Sequence, residues 1–424
     1  MSRPIFVRGA RQLLTLRGPT GSRRGTDLGN LGIIQDGAVL IADGIIREVG
    51  TTRRLENLAE ARRADEIDAT GCVVLPGFVD SHTHLVGGPA RLFDYEMGLA
   101  GATRAEIAIA GGGFGAISKT MQDLSVHMLE SQAVRVLSEC IRQGTTTLEA
   151  KSGYGLTETG ELKILRAHAT LNGHFGTVVS TLMAAREIPH GYEHGPAEYI
   201  DWLCTHLLPV VQRRKLARFV DISCDEGAFS VEDSRRFLMA AKQLGFGLKL
   251  HAGEESNTGA VKLAVEMGAV SVDHVVQVDE EDIELLAGSS TIATLLPGSV
   301  FYLGTKRYAP ARRLIDQGVA VAIATNYNPE TCPTHNLQMI VSLACHKMSM
   351  TPSEAISAAT INGAHALGLG ARIGSVEAGK EADLVILDVP DYREIPYHFA
   401  VNLVRATIQR GRLIYRASEV QWPS

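Results

Sequence analysis

The chain reads as an α/β protein: a (β/α)8 barrel with a small flanking β-sandwich built from both chain ends. Three observations carry this expectation. The middle of the chain alternates short apolar strands with helical periods, both ends show short strands with hairpin turns instead, and 424 residues exceed the size at which one hydrophobic core usually stops growing. The expected division is a composite sandwich domain of residues 1–76 plus 368–424 around a barrel of residues 77–367.

At the N-terminal end, AVLIADGIIREVG places Asp43-Gly44 between two apolar stretches, the pattern of a tight hairpin. From Gly77 the texture changes. PGFVDSHTHLV opens a series in which TTTLEAKSG precedes ELKILRAHATL, GTVVSTLMA precedes EYIDWLCTHLLPVV, FVDISCDEG precedes VEDSRRFLMAAKQLG, and GLKLHAGEE precedes GAVKLAVEMG. AVSVDHVVQ, STIATLLPG and VAVAIATN continue it. Strands that alternate with helices pair in parallel, and this many repeats favours a closed barrel over an open sheet. The tail, GSVEAGKEADLVILD with LVRATIQRGRLIY, returns to hairpin-like strands that complete the sandwich.

Composition bounds the function. Hydrophobic residues make up 45% and charged residues 21%, an ordinary globular balance. A net charge of -6 without a basic run argues against nucleic acid or an anionic membrane as partner, so a small molecule is expected. No apolar run has the length of a signal-peptide core or a membrane span, and a cytoplasmic protein is expected. Cys72, Cys140, Cys204, Cys224, Cys332 and Cys345 form no CxxC pair, which indicates neither a disulfide framework nor a cysteine zinc site.

Active sites of such barrels lie at the C-terminal ends of the strands, so the polar residues that end each run are the candidates. The first run ends in DSHTHLVGG. In an extended strand alternate side chains point the same way, so His82 and His84 project together, and two neutral imidazoles supply half of a tetrahedral metal site. An isolated HxH also reads as two hydrogen-bonded polar residues at a strand terminus. Later runs end in Lys151 and Tyr154, Arg186, Glu226, His251 and Glu254, His274, and Asn326. Four histidines converging on one mouth are hard to account for as core residues.

These residues resemble the amidohydrolase superfamily and, within it, the imidazolonepropionases of histidine degradation. PGFVDSHTHLV, LAGATRAEIAIAGGG, KSGYGLTETGELKILR, DEGAFS, KLHAGEES, DHVVQV, LLPG, ATNYNP, TINGAHALGLG and GSVEAGKEADLVILD carry the resemblance through nearly the whole chain. HTH after PGFVD points only to the superfamily, whereas KSGYGL with AGGG and the ATNYNP segment is more specific. The resemblance implies a barrel with a flanking sandwich, a homodimer, and hydrolysis of 4-imidazolone-5-propanoate to N-formimidoyl-glutamate. It implies one zinc or iron held by His82, His84 and His251, a second histidine near the metal at His274, and a ring-contacting glutamate at Glu254. Arg91 matches an arginine that holds the propionate carboxylate, and Tyr154 a substrate-contacting tyrosine.

Three positions depart from that pattern. Asn326 stands where the family has aspartate, Arg186 where it has histidine and Arg104 where it has tyrosine. An aspartate offsets one charge of a divalent ion and accepts a proton from water, while an amide does neither. Arg186 adds positive charge, so the balance points to a weakly metallated or metal-free pocket. Water activation then falls to His274 or Glu254, with His251 and the Asn326 amide beside them.

The leading expectation is an imidazolonepropionase-like hydrolase whose water attacks the carbon between the two ring nitrogens of a 2-thio or 2-alkylthio imidazolone propionate and expels sulfide or thiol. Arg91, Tyr154, Arg186 and Arg104 would contact that substrate. The alternative is ordinary imidazolone ring opening, and a third reading is a binding protein without catalysis. Cys332, in NPETCPTH, reads either as a nucleophile or as a packing residue, and Gly111, Gly112 and Gly113 read as a lid or tight turn. His168 and His206 read as helix-face residues and His190 and His194 as solvated, while His335 stays open as a candidate.

Overall fold

The computed structural model describes residues 3–172, 176–189 and 192–418, so His190 lies outside the described residues. The first part of the chain forms β1 (Ile5–Leu14), β2 (Ile33–Ala42), β3 (Ile45–Thr51), β4 (Asp65–Asp68) and β5 (Val73–Pro76). The middle forms β6 (Phe78–Asp80), β7 (Thr145–Lys151), β8 (Thr177–Ala185), β9 (Phe219–Cys224), β10 (Gly247–Ala252), β11 (Ser271–His274), β12 (Ile292–Leu295) and β13 (Val321–Ile323). The tail adds β14 (Leu384–Leu387), β15 (Val404–Gln409) and β16 (Arg412–Arg416).

Strands β6 to β13 pair in chain order, each parallel to the next, so all eight apolar runs of the sequence become neighbours in one sheet. Its ends close on each other just beyond the first and eighth strands. A parallel bridge joins Thr83 to Tyr327, His84 N–H donates to Tyr327 O at 2.8 Å, and Asn326 N–H donates to His82 O at 3.0 Å. Asp80 reinforces the seam, accepting from Thr325 N at 3.0 Å and from Thr325 Oγ1 at 2.6 Å. Closure removes the sheet edges and brings the two motifs that carry His82 and Asn326 into contact.

The outward side chains of the barrel strands, such as Val220, Ile222, Leu248 and Leu250, pack in the main hydrophobic core with the surrounding helices. Helix Val126–Arg142 shows how: Ser125 caps it by accepting from Met128 N, and Leu129, Ala133, Leu137, Cys140 and Ile141 repeat at helical spacing to make its buried stripe.

The expected sandwich is one branched sheet. It runs β16-β15-β14-β5-β1-β2-β3, and β1 branches because β4 pairs with Ile5–Arg8 while β5 pairs with Gln12 and Leu13 on the same edge. The Asp43-Gly44 hairpin is present between β2 and β3, with φ of 51° and 78° as a type I′ turn requires. Arg410-Gly411 turns β15 into β16 in the same way, with φ of 44° and 68°. The glycine run after residue 110 is a helix entry: Gly112 caps helix Gly113–Asp123, and Gly113 N–H donates to Asp94 Oδ2 at 2.9 Å. Helices Leu92–Leu99 and Arg104–Ile109 lie before it, and neither contains a buried residue.

Asp383 sits where sheet and barrel meet. Its carbonyl accepts from Gly77 N, one carboxylate oxygen accepts from Arg410 N at 2.8 Å, and the other is buried without a partner. Burial, reinforced by the nearby Glu381 charge, pushes its pKa up to about 7. Because the folded pKa lies above the unfolded one, the stability from the neutral acid is complete at low pH and is lost as pH rises through about 7. Asp383→Asn should therefore gain on the parent protein as pH goes from about 6 to about 8, read as the difference in Tm. A difference that stays constant over that range refutes the buried-acid assignment.

Candidate active site

The strand ends bring four histidines together. His82 and His251 have ring centroids 4.6 Å apart, His251 and His274 5.0 Å, His82 and His274 5.7 Å, and His82 and His84 5.8 Å. Donor atoms of His82, His251 and His274 lie within 4.8 Å of one another. The tightest trio thus uses His274, whereas the expected ligand set was His82, His84 and His251. His274 and Val275 both adopt positive φ, 80° and 54°, and Asn326 does so at 53°. Such strain on non-glycine residues persists where packing over-determines the backbone, and it gathers at functional sites.

Beneath the histidines the barrel is filled with charge instead of branched aliphatics. Lys151 Nζ lies 2.5 Å from Asp221 Oδ2, 3.1 Å from Glu149 Oε2 and 3.2 Å from Asp273 Oδ2, while Lys249 Nζ lies 3.0 Å from Glu149 Oε1. All five side chains are fully buried. Burial works against the Lys151 ammonium, but Asp221, Glu149 and Asp273 hold its pKa above the ordinary value. Burial likewise opposes the Asp221 and Asp273 charges, yet His251 and Lys151 hold the first, and Lys151 and His82 the second, below the usual carboxylate range.

Two of these acids orient histidines. Asp273 Oδ2 lies 2.7 Å from His82 Nδ1, and Asp221 Oδ2 lies 3.0 Å from His251 Nδ1. Burial, followed by the Lys151 charge, drives the His82 pKa well below normal; burial and then Arg186 do the same to His84. Both rings are neutral at pH 7. With Nδ1–H donated to Asp273, His82 presents a lone pair at Nε2, an atom that is buried and has no partner. His84 Nδ1 and Asn326 Oδ1 are also buried without partners.

A divalent metal fits this set. Neutral imidazoles backed by carboxylates are the usual arrangement around a ligated ion, since the second acceptor fixes the tautomer and raises ligand basicity. Two lysines and three carboxylates also leave one excess negative charge under the cluster. The Arg186 charge acts on His84 but has a partner of its own. Its Nη2 lies 2.7 Å from Glu330 Oε2, so the pair is neutral, and the guanidinium stacks 4.5 Å from the Tyr154 ring centroid and 4.9 Å from that of Phe114. Asn326 is turned partly away, donating Nδ2 to Ser299 Oγ at 2.7 Å.

The remaining candidates separate. Tyr154 is buried with its ring edge-on to His84 at 5.6 Å and its hydroxyl donating to Glu330 Oε2 at 3.1 Å. Glu254 stands at the rim, 33% exposed, with Oε2 3.5 Å from His274 Nδ1. Arg91 grips Asp94 through Nε and Nη2. Arg104 is 66% exposed and faces Glu255 at 3.4 Å, outside the histidine cluster. Glu226 is exposed, and its neighbour Asp225 instead accepts the backbone N–H groups of Glu254, Glu255 and Ser256.

Cys332 is buried, and that burial pushes its thiol up to about 12, away from the thiolate a nucleophile needs. All six cysteines are free. His168 is buried against Ser180, His206 pairs with Glu158, His194 is exposed, and His335 packs on Tyr327. Sequence reasoning missed Asp221, Asp273, Glu149 and Glu330. The first two share the alternation that points His251 and His82 inward, a signal legible only once the strand register is known.

An eight-stranded parallel barrel with histidines and acids at its strand ends defines a hydrolase of the amidohydrolase class. The amidohydrolase family model matches residues 73–414. Imidazolonepropionase of Geobacillus kaustophilus is 43% identical over 99% of both chains, and that of Bacillus cereus strain B4264 is 42% identical over 97% of this chain and 96% of its own. The chain belongs to the imidazolonepropionase family of the amidohydrolase superfamily. Among solved structures, an adenosine deaminase from Xanthomonas campestris with bound zinc matches with a TM-score of 0.72 at 18% identity, covering 96% of this chain and 92% of its own. Escherichia coli guanine deaminase matches with a TM-score of 0.72 at 17% identity, covering 99% and 100%. At these identities the likeness is one of fold.

Asp273→Asn removes the acid that orients His82 and should weaken divalent-metal affinity about 10–100-fold, whereas Asn326→Asp should strengthen it. Metal content after dialysis against graded chelator reads both. Retention by Asp273→Asn equal to the parent, or no gain in Asn326→Asp, removes the proposed ligand set.

Proposed function

We propose that this hydrolase opens the ring of 4-imidazolone-5-propanoate to give N-formimidoyl-glutamate. The observation that carries the reading is the cluster of His82, His251 and His274 in which His82, neutral and backed by Asp273, has its Nε2 buried without a partner. Likeness of 41–43% to imidazolonepropionases along nearly the whole chain supports the substrate class. The thio-substituted ring that leads the sequence reading becomes the second choice.

Atom balance locates the reaction. The formimidoyl carbon of the product keeps both nitrogens, so water adds to the ring carbonyl carbon and the bond from that carbon to its ring nitrogen breaks. The attacked carbon becomes the new carboxylate. Attack at the carbon between the nitrogens, expected from sequence, applies only where that carbon carries a leaving group. Burial holds the His274 pKa below normal, so its imidazole is neutral and takes the proton from the attacking water. It then returns that proton to the departing nitrogen. Glu254, 3.5 Å from His274 Nδ1, orients the imidazole and accepts from a ring N–H of the substrate. Arg91 uses Nε and Nη2 on Asp94, which leaves Nη1 to meet the propionate carboxylate. Zinc or iron, held by His82, His84 and His251, would supply Lewis acidity at the attacked carbonyl and leave the His274 imidazole free as the base.

The second reading, displacement of sulfide or thiol from a 2-thio-substituted ring, rests on Asn326. Its amide cannot accept a proton from water and is engaged with Ser299, a setting suited to a substrate with a better leaving group. There the C–S bond breaks, the ring stays closed, and oxygen takes the place of sulfur.

Purified protein given imidazolone propionate and its 2-thio analogue decides between them. Formimidoyl-glutamate detected by mass spectrometry is the expected result, and Arg91→Ala should raise KM about tenfold or more with little change in kcat. Sulfide release without ring opening transfers the assignment to the second reading. Ligand binding with no turnover of either compound leaves a binding protein.

A further inference from the structure

The mechanism above makes no use of Glu161, although it is a fully buried carboxylate. It lies in the first turn of helix Glu158–Leu171, and no cation pairs with it among the described residues. Its partners are backbone. Oε1 accepts from Gly155 N at 2.8 Å, Leu156 N at 2.9 Å and Gly153 N at 3.2 Å, and Oε2 lies a further 3.2 Å from Gly153 N. These donors belong to the KSGYG turn that connects β7 to the helix.

The turn is strained in ways that need an anchor. Gly153 has φ of 107° and Leu156 of 54°, and a Cβ on Gly155 would come within 2.3 Å of the Gly160 carbonyl carbon. A side chain that gathers three N–H groups holds such a backbone in place of a regular ladder. The helix N-terminus supplies partial positive charge that offsets part of the burial penalty of the acid.

The one aromatic side chain on that turn is Tyr154. Its ring meets His84 edge-on at 5.6 Å, stacks on Phe114 at 5.7 Å and carries the Arg186 guanidinium at 4.5 Å, while its hydroxyl donates to Glu330. Moving the turn moves Tyr154, and Arg186 and His84 lose the surface against which they rest. We infer that Glu161 is a positioning residue for substrate binding: it sets the place of Tyr154 and, through that ring, of Arg186 and His84. The inference rests on the proposed reaction for its kinetic readout, and its structural readout is independent of it.

Three variants test it: Glu161→Leu, Glu161→Gln and Tyr154→Ala. Glutamine keeps Oε1, which accepts three of the N–H groups, and should hold KM for imidazolone propionate within about threefold of the parent. Glu161→Leu should raise KM about tenfold or more with a smaller change in kcat and unchanged metal content, a split that general destabilisation does not produce. Tyr154→Ala added to Glu161→Leu should change KM less than about twofold, because both act on one element. Hydrogen exchange of residues 152–157, measured without substrate, should accelerate in Glu161→Leu and stay slow in Glu161→Gln.

If Glu161→Leu does not fold, Glu161→Gln against Tyr154→Ala still decides: a glutamine variant with unprotected turn amides overturns the anchor. Independent, multiplying effects of Glu161→Leu and Tyr154→Ala also overturn the inference, as does faster exchange with unchanged KM. A parent protein that turns over no imidazolone refutes the proposed reaction, while the exchange comparison still judges the anchor.

Discussion

Lys151 holds three carboxylates in the centre of the barrel, and the rest of the site depends on that contact. Removed from water, Glu149, Asp221 and Asp273 would repel one another; a shared ammonium lets them sit close together and helps hold Asp221 and Asp273 ionised against their burial. Two of them then turn to the histidines above. Asp273 fixes the tautomer of His82 and leaves its Nε2 lone pair without a partner, while Asp221 stands against His251. A cluster of imidazoles is thus supported from below by an ionic layer, where most barrels of this type have packed aliphatic side chains.

Closure of the barrel ties this layer to the rim. Thr83 with Tyr327, Asp80 with Thr325 and Asn326 with the His82 carbonyl join the first and eighth strands at the level of the histidines. Asn326 therefore has two roles, one in the seam through its backbone and one at the site through its amide. The seam contact is made by backbone, so it does not depend on whether the side chain is an amide or an acid. At the mouth Arg186 and Glu330 form an ion pair, with the guanidinium stacked on Tyr154, so the Arg186 charge is met locally by a carboxylate.

The strand-and-helix rhythm made the barrel legible, because each strand buried on both faces writes an unbroken apolar run and each helix a 3.6-residue period. The polar residues that end those runs, His82, His84, His251, His274 and Asn326, were legible for the same reason. The flanking sheet from both chain ends was legible, but the branching of β1 was not, because it depends on which of two short strands, β4 or β5, pairs along each half of its edge. Arg104 was placed by motif position alone, and its exposed pairing with Glu255 follows from a helix that packs no residue into the core.

What sequence alone determined is local: alternation that aims His82 and His84 together, the Asp43-Gly44 turn whose φ values suit those residues, and runs that become strands. What only tertiary structure decided is charge and protonation. His82 meets Asp273 across 191 positions, Lys151 meets Asp221 across 70, and Arg186 meets Glu330 across 144. Electrostatic energy in a buried site depends on separations of a few ångströms and on the solvent removed, and neither quantity is written in the order of residues along a chain.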